Sequence, residues 1–178
     1  PLKVGNYWVY QQFRVDSDGT ENATNIIDSC YIEKDTTING MMYYKYVRPN
    51  YLPEYSITFI HDSLHYIVNS AGVIQFSSMD FTTVFDTRYV YAAPGDTACQ
   101  LVHQMYDQPV QVITPLANYT TLDSRITLNF YNHWAQHGTP RYQNTNYAKD
   151  LGIVSEVLPL FASDPGHTVR KLIRFHLN

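Results

Sequence analysis

The sequence is poor in charged residues and in cysteine. Only 16% of its 178 residues are charged, and the formal net charge is −4. Nucleic acid binding depends on a basic surface that neutralises phosphates, so the sequence predicts no nucleic acid partner. Cys30 and Cys99 are the only cysteines, and neither belongs to a C-x-x-C pair of the kind found in redox or zinc sites. They can form one disulfide in an oxidising compartment or serve as two small buried residues, and the sequence leaves both open.

Long apolar runs and catalytic motifs are also missing. No run approaches the roughly 20 residues that cross a bilayer, which predicts a soluble chain without a transmembrane segment. The sequence has no glycine-rich phosphate loop and no G-x-S-x-G turn, which argues against nucleotide enzymes and serine hydrolases. The aspartates lie near predicted turns, and no two carboxylates are spaced as a glycosidase pair. No cofactor is predicted.

Aromatic residues, in contrast, are abundant. They make up 15% of the chain, and tyrosine alone contributes 16 residues. Aromatic side chains favour strands and binding faces. Apolar and polar residues alternate in short segments separated by turn residues, which predicts an all-β, mainly antiparallel fold. We expect one β-rich domain over 1–178, built as a barrel, half barrel or curved sheet with at most one or two short helical turns.

Several local expectations follow from the pattern. Asn39-Gly40 supplies the two positive-φ positions of a type I′ hairpin. The polar stretch 133–146 reads as a loop, and 147–158 reads as one strand. The final segment, 169–177, is expected to be a strand that closes the sheet against an early one. In segment 55–60, Ile57 and Phe59 alternate with Ser56 and Thr58, which places the two apolar side chains on a shared face.

Three polar clusters are candidates for reactive sites. His133 and His137 would face the same way on a helix and could share a metal ion, but a third ligand is not identifiable and Gly138 follows at once. The segment 61–65 contains Ser, His and Asp, yet a turn explains this composition as well as a catalytic triad does. The segment 16–21 has the acidic spacing that begins a calcium loop but lacks the distant Glu, so a polar hairpin turn is favoured.

Aromatic residues on two predicted strands are the best candidates for a binding site. Trp8 and Tyr10 lie in the first strand, Tyr44 and Tyr46 lie in the third, and Trp134 lies in the late polar stretch. Such rings stack on sugars, peptides or lipid-like ligands. The alternative is that they form cross-strand pairs that stiffen the sheet.

The same segments carry a family resemblance. The chain begins Pro1-Leu-Lys-Val-Gly-Asn-Tyr-Trp-Val-Tyr10, continues through Asp35–Tyr44 and Gly95-Asp-Thr97, and has a late Tyr147-Ala-Lys-Asp-Leu-Gly-Ile-Val154 segment. In these motifs it resembles uncharacterised β-rich domains of secreted proteins and lipoproteins from Bacteroidetes and related bacteria. The resemblance implies an exported antiparallel β domain, such as the barrels or half barrels of lipoprotein-localisation factors. It implies no catalytic residue.

The resemblance and the composition together favour a non-enzymatic exported domain. Its expected location is the periplasm, the outer-membrane surface or the extracellular space. A signal peptide or lipobox is expected upstream of Pro1, since proline does not start translation, and a lipid anchor there is possible. The expected partner is a lipid-like ligand, a glycan or an envelope protein. The oligomeric state is left open.

Each form of binding makes its own structural prediction. A lipid carrier predicts a cavity lined by Trp8, Ile57, Phe59 and Phe76, whereas glycan binding predicts a flat exposed aromatic strip. One alternative is a hydrolase or metal-dependent enzyme that uses His133 and His137. A further alternative is a purely structural module of a surface protein, which predicts neither a pocket nor an exposed aromatic cluster.

Overall fold

The computed structural model describes residues 2–49, 55–131, 134, 140–159 and 166–178, and nearly all of them lie in strands or turns. The all-β prediction is confirmed. The strands, in chain order, are β1 (Tyr7–Val15), β2 (Glu21–Ile38), β3 (Met41–Pro49), β4 (Tyr55–Ser63), β5 (Tyr66–Asn69), β6 (Ile74–Ser77), β7 (Asp86–Ala93), β8 (Asp96–Met105), β9 (Val110–Ile113), β10 (Asn118–Phe130), β11 (Arg141–Ala148), β12 (Gly152–Pro159) and β13 (His167–His176). Within the described ranges, no helix has the length and apolar character that crossing a membrane would require.

All strands join one antiparallel sheet with the order β6-β5-β4-β3-β2-β1-β13-β12-β11-β10-β8-β7, and β9 pairs with β10 beyond the end of β8. The first strand therefore lies between β2 and the last strand, as the sequence pattern predicted. Asn178 strengthens this closure, because its backbone N–H donates to Asn6 Oδ1 and its side-chain amide donates to the Val4 carbonyl, both at 2.8 Å.

The sheet curves into a nearly closed barrel. We call the contact between β6 and β10, where it closes, the seam. The Ser124 hydroxyl of β10 donates to the Gln75 carbonyl of β6 at 2.9 Å, and the His103 imidazole of β8 lies 2.8 Å from the same hydroxyl. The Phe76 and Tyr147 rings lie 4.3 Å apart between their centres. Among the described residues no backbone ladder joins β6 to β10, so side chains hold the seam.

Two clusters of buried residues stabilise the barrel. The larger contains Trp8, Tyr10, Cys30, Ile32 and Leu172 among its members. The smaller consists of Cys99, Leu128 and Phe130. Both cysteines are buried and free, and they belong to different clusters. The disulfide left open by the sequence is therefore not formed in this structure.

The hairpin between β2 and β3 has the predicted geometry. Asn39 and Gly40 have φ angles of 51° and 80°, and the flanking Ile38 and Met41 are paired. Both central residues of a type I′ turn need positive φ, which Asn and Gly tolerate best. This prediction is confirmed.

The prediction for the region after residue 140 is wrong. Part of the stretch expected to be a loop forms β11, and the single strand expected over 147–158 is two strands that meet at a turn. Asp150 and Gly152 have φ angles of 59° and 99° at that turn. The error arose because β11 contains polar residues with partners inside the protein: Asn144 donates to Asp123 at 3.1 Å, and Asn146 is buried.

Ile57 and Phe59 share one face of β4 as predicted, but this face does not point into the barrel, as a carrier cavity lined by them would require. Thr58 and Ile60 face the interior, whereas Ile57 is 55% exposed. Side chains directly opposite on paired strands share a face, and Tyr46 of β3 lies opposite Thr58. The inward position of Tyr46 therefore turns Ile57 and Phe59 outward.

Candidate functional site

A small cavity of about 90 Å³ lies inside the barrel. Aromatic and aliphatic side chains form most of its wall, with Arg48, Thr58 and Gln75 as polar members. The remaining lining residues are Leu2, Trp8, Tyr10, Ile32, Tyr46, Ile60, Ile67, Tyr147, Gly152 and Ile153. Trp8, Tyr10 and Tyr46 come from two predicted strands that the fold brings onto one inner surface.

The aromatic rings in this wall are fixed by hydrogen bonds at their polar ends. The Trp8 indole N–H donates to the Leu151 carbonyl at 2.8 Å, and the Tyr10 hydroxyl donates to the Ile153 carbonyl at 2.9 Å. Gly152 lies between these two acceptors, and a Cβ added there would lie 3.5 Å from the indole ring. The turn from β11 to β12 therefore positions Trp8 and Tyr10.

A wider cleft of about 600 Å³ adjoins the cavity. Ile67, Tyr147 and Gly152 line both spaces. The cleft runs beside the seam, between the β4–β5 turn, β10 and the β11–β12 turn. Its wall includes Phe76 and Leu122, and its charged residues are Asp62, Lys149 and Asp150. Cavity and cleft together have the size range of small-molecule sites.

Four charged side chains form a chain behind the cavity, of which Glu156 and Arg170 are buried and Arg48 and Asp28 are half-buried. Glu156 accepts hydrogen bonds from both Arg48 and Arg170, and Arg170 also lies 3.4 Å from Asp28. Gln12 donates to Asp28 at 3.0 Å. The signs alternate from Arg48 to Asp28, so the chain ends in a cation at the cavity and in an anion away from it.

The oppositely charged side chains of this charge chain stabilise one another's ionised forms. Burial alone would raise the pKa of Glu156, but the two guanidinium groups outweigh it and hold that pKa below its ordinary value. Burial would likewise lower the pKa of Arg48, yet Glu156 raises it well above the ordinary value. Both side chains are therefore ionised at neutral pH.

The remaining titratable groups of the cavity are uncharged at neutral pH. Burial raises the pKa of Tyr10, Tyr46 and Tyr147 above the ordinary tyrosine value. Cys30 does not line the cavity but lies in the larger core cluster, where burial raises the pKa of its thiol to about 11. The cavity thus offers one cation, several hydroxyls and aromatic faces.

The five predicted binding residues do not form one site. Trp8, Tyr10 and Tyr46 line the cavity. Tyr44 does not line the cavity and packs against the larger core cluster. Trp134 packs against the smaller cluster. Trp8 and Tyr10 are 5% and 2% exposed, so they do not contribute to a surface strip.

The other predicted clusters have local explanations or lie beyond the described ranges. His133 and His137 are outside the described residues, and within those residues no three His, Cys, Asp or Glu side chains are grouped as metal ligands. The His61 ring packs on Tyr43 at 4.6 Å. In the β1–β2 turn, the Thr20 N–H donates to Asp18 at 2.9 Å, as a polar turn would.

Sequence reasoning missed Arg48, Glu156 and Arg170. One signal for Arg48 was available, because it continues the period-two series of Tyr44 and Tyr46 and therefore had to share their face. Glu156 and Arg170 gave no comparable signal, since their pairing depends on the register of β12 with β13, where they lie directly opposite each other.

Comparison with known proteins adds evidence on the fold. No protein-family model and no curated protein matches the sequence. Two crystal structures share the architecture over nearly their whole length. One is a putative exported protein with a YmcC-like fold from Bacteroides fragilis, at 14% identity and a TM-score of 0.56, with 99% of this chain and 98% of that chain covered. The other is a putative lipoprotein from Parabacteroides distasonis, at 11% identity and a TM-score of 0.53, with 99% and 97% covered. At these identities the chain shares a fold with both proteins.

Proposed function

We propose that this chain is an exported, non-enzymatic β-barrel domain that binds a small molecule with an apolar body in the cavity and the adjoining cleft. The observation that carries the proposal is that the cavity and the cleft share three wall residues, Ile67, Tyr147 and Gly152, and therefore lie side by side. A concave, mainly apolar site with a few placed polar groups is the usual form of a small-molecule site.

The position of the aromatic rings favours a lipid-like ligand over a glycan. Trp8 and Tyr10 are buried inside the barrel, where they can enclose only the end of a ligand that enters from the cleft and cannot form a flat stacking surface. A flat sugar-stacking surface would need exposed rings in a row. Tyr89 and Tyr91 on β7 are exposed, but two rings on an edge strand offer less contact than the enclosed wall.

The protonation states in the cavity favour binding over catalysis. A general acid or base works best when its pKa lies near the ambient pH. The pKa values of Tyr10, Tyr46, Tyr147 and Cys30 are raised away from neutrality, and the pKa of Glu156 is lowered away from it. These groups are therefore suited to hold a ligand.

Export is proposed from the shared architecture. The two structural neighbours are named as an exported protein and a lipoprotein, and the motif resemblance points to the same class. The proposed location is the cell envelope or the extracellular space, with a lipid anchor upstream of this chain as one form. We further propose that residues 1–178 act as one domain.

Binding can be tested with N-phenyl-1-naphthylamine, an uncharged apolar fluorophore. The delipidated protein is expected to enhance its fluorescence saturably. Ile67→Trp places a large ring where cavity and cleft meet, and should weaken binding at least ten-fold. Ile57→Trp is the matched control, because Ile57 lies on the same half of the sheet but faces solvent.

The two variants separate a real site from adsorption to the surface. Unchanged affinity in Ile57→Trp together with weakened affinity in Ile67→Trp supports the proposed site. Absence of saturable binding to the wild-type protein, or equal loss in both variants, would refute it.

A further inference from the structure

Arg48 is the cationic end of the buried charge chain and lies in the cavity wall. Its side chain is 27% exposed, whereas those of Glu156 and Arg170 are 5% and 6% exposed. Among the described residues, Glu156 is the only hydrogen-bond partner of Arg48. A guanidinium group has five N–H donors in a planar fork, so it can bind a second carboxylate while it keeps the first.

The partner of Arg48 is itself shared. Glu156 also accepts from Arg170, and the second carboxylate, Asp28, contacts Arg170. The four charges sum to zero. The charge nearest to Arg48 is the Glu156 carboxylate, but this carboxylate is also paired with the Arg170 guanidinium. The field at the cavity end is therefore that of an incompletely neutralised cation.

The sizes of the two spaces assign the parts of a ligand. The cavity of about 90 Å³ can hold a small head group, and the cleft of about 600 Å³ can hold a chain. The cleft carries Asp62 and Asp150 against a single lysine, Lys149, which makes it the less favourable place for an anion. The polar head therefore belongs in the cavity and the chain in the cleft.

We propose that Arg48 binds the carboxylate of an aliphatic carboxylic acid whose chain lies in the cleft beside the seam. This inference rests on the proposed ligand-binding function and specifies the class of ligand. Two parallel N–H···O bonds between a guanidinium and a carboxylate give both affinity and orientation. The Tyr147 hydroxyl of the cavity wall is protonated and can donate a further hydrogen bond to the same head.

The test compares ligands that share a chain and differ in the head. Decanoate and decan-1-ol are titrated as competitors of bound N-phenyl-1-naphthylamine at pH 7.5, below their aggregation concentrations. Decanoate is expected to bind the wild-type protein at least ten-fold more tightly than decan-1-ol. In Arg48→Gln the affinity for decanoate should fall to that for decan-1-ol, while Arg88→Gln, at an exposed site on β7, should leave the ten-fold difference intact.

The outcomes distinguish failure of this inference from failure of the proposed ligand-binding function on which it rests. Equal binding of decanoate and decan-1-ol by the wild-type protein overturns the role of Arg48 and leaves a binding site for apolar molecules. If neither decanoate nor decan-1-ol displaces the fluorophore, both the role of Arg48 and the proposed ligand-binding function are overturned. Because the comparison of head groups needs only the wild-type protein, the test stands even if Arg48→Gln does not fold.

Discussion

Glu156 is the residue whose removal should most damage the fold. It lies buried between two guanidinium groups, so Glu156→Gln would leave Arg48 and Arg170 without a shared counter-charge. Breaking a buried ion pair from one side costs about 3–5 kcal/mol. We expect a loss of that size in the free energy of unfolding, measured by urea denaturation.

A matched substitution at the surface provides the control. Glu33 pairs with Lys45 but is 42% exposed, and exposed pairs contribute about 1 kcal/mol or less. Glu33→Gln should therefore change stability only slightly. Similar losses in the two variants would contradict the importance of the buried chain.

His103 should make stability depend on pH. Burial lowers the pKa of its imidazole, so the folded state binds a proton less readily than the unfolded state. Its contribution to stability is present above the ordinary histidine pKa of about 6.5 and is lost as the pH falls below that value. We expect His103→Gln to flatten the decline in the free energy of unfolding between pH 7.5 and 5.

The exposed His176 serves for comparison in this experiment. His176→Gln should leave the decline unchanged. If His103→Gln keeps the full wild-type slope, protonation of that imidazole is not what weakens the fold at acidic pH.

At the residue scale, the sequence singled out three of the residues that line the candidate cavity. The aromatic residues Trp8, Tyr10 and Tyr46 were identifiable because rings on both faces of a strand exceed what one core face needs. The charge chain was not identifiable, because a buried Arg–Glu–Arg arrangement depends on which strands become neighbours. Local sequence carries no information on that.

Among the structural elements, the β11–β12 turn links the backbone to the site. Gly152 has a φ angle of 99°. The carbonyl groups of the residues on either side of it accept the hydrogen bonds from Trp8 and Tyr10. Gly152→Ala should lower the free energy of unfolding by about 1–2 kcal/mol, since a side chain disfavours positive φ. It should also weaken binding of N-phenyl-1-naphthylamine, because the new methyl group contacts the indole.

Gly40→Ala is the matched substitution. Gly40 has a φ angle of 80°, and an added Cβ would meet no atom within 4 Å. It should cost similar stability, measured by thermal or urea unfolding, and leave binding unchanged. Equal effects on binding would show that the turn acts through general stability and not through Trp8.

Turns were the elements that the sequence predicted best. Asn39-Gly40 was identifiable because few residues tolerate positive φ. Strand β11 was missed because its inward residues are polar and have partners on other strands, so apolar alternation is absent. The alternation in β4 was predicted correctly, but it could not show that the face with Ile57 and Phe59 points outward, because the register with β3 sets that orientation.

For the molecule as a whole, the seam should be the least stable part of the barrel wall. In the described part of the chain, the four-residue strand β6 forms a ladder with β5 alone, whereas the nine-residue strand β1 forms ladders on both sides. Hydrogen exchange measured by mass spectrometry is expected to be fast in β6 and slow in β1. Equal protection of the two strands would mean that the seam does not open separately.

The sequence predicted the fold class but not the closure of the sheet into a barrel. Alternation and turn spacing indicated an antiparallel sheet and a closing last strand. The choice between a barrel and an open sheet depends on the contacts of the Ser124 hydroxyl with the Gln75 backbone carbonyl and the His103 imidazole, which lie far apart in the sequence.

The pairing of β1 with β13 also determines when the protein can fold. Strand β1 is synthesised before the other strands of the sheet, whereas its neighbour β13 is synthesised after all of them. Contacts so distant along the chain form slowly, because a long loop must close before they are gained. The barrel therefore cannot close until β13 has been synthesised, and until then one edge of β1 has no partner strand in the sheet.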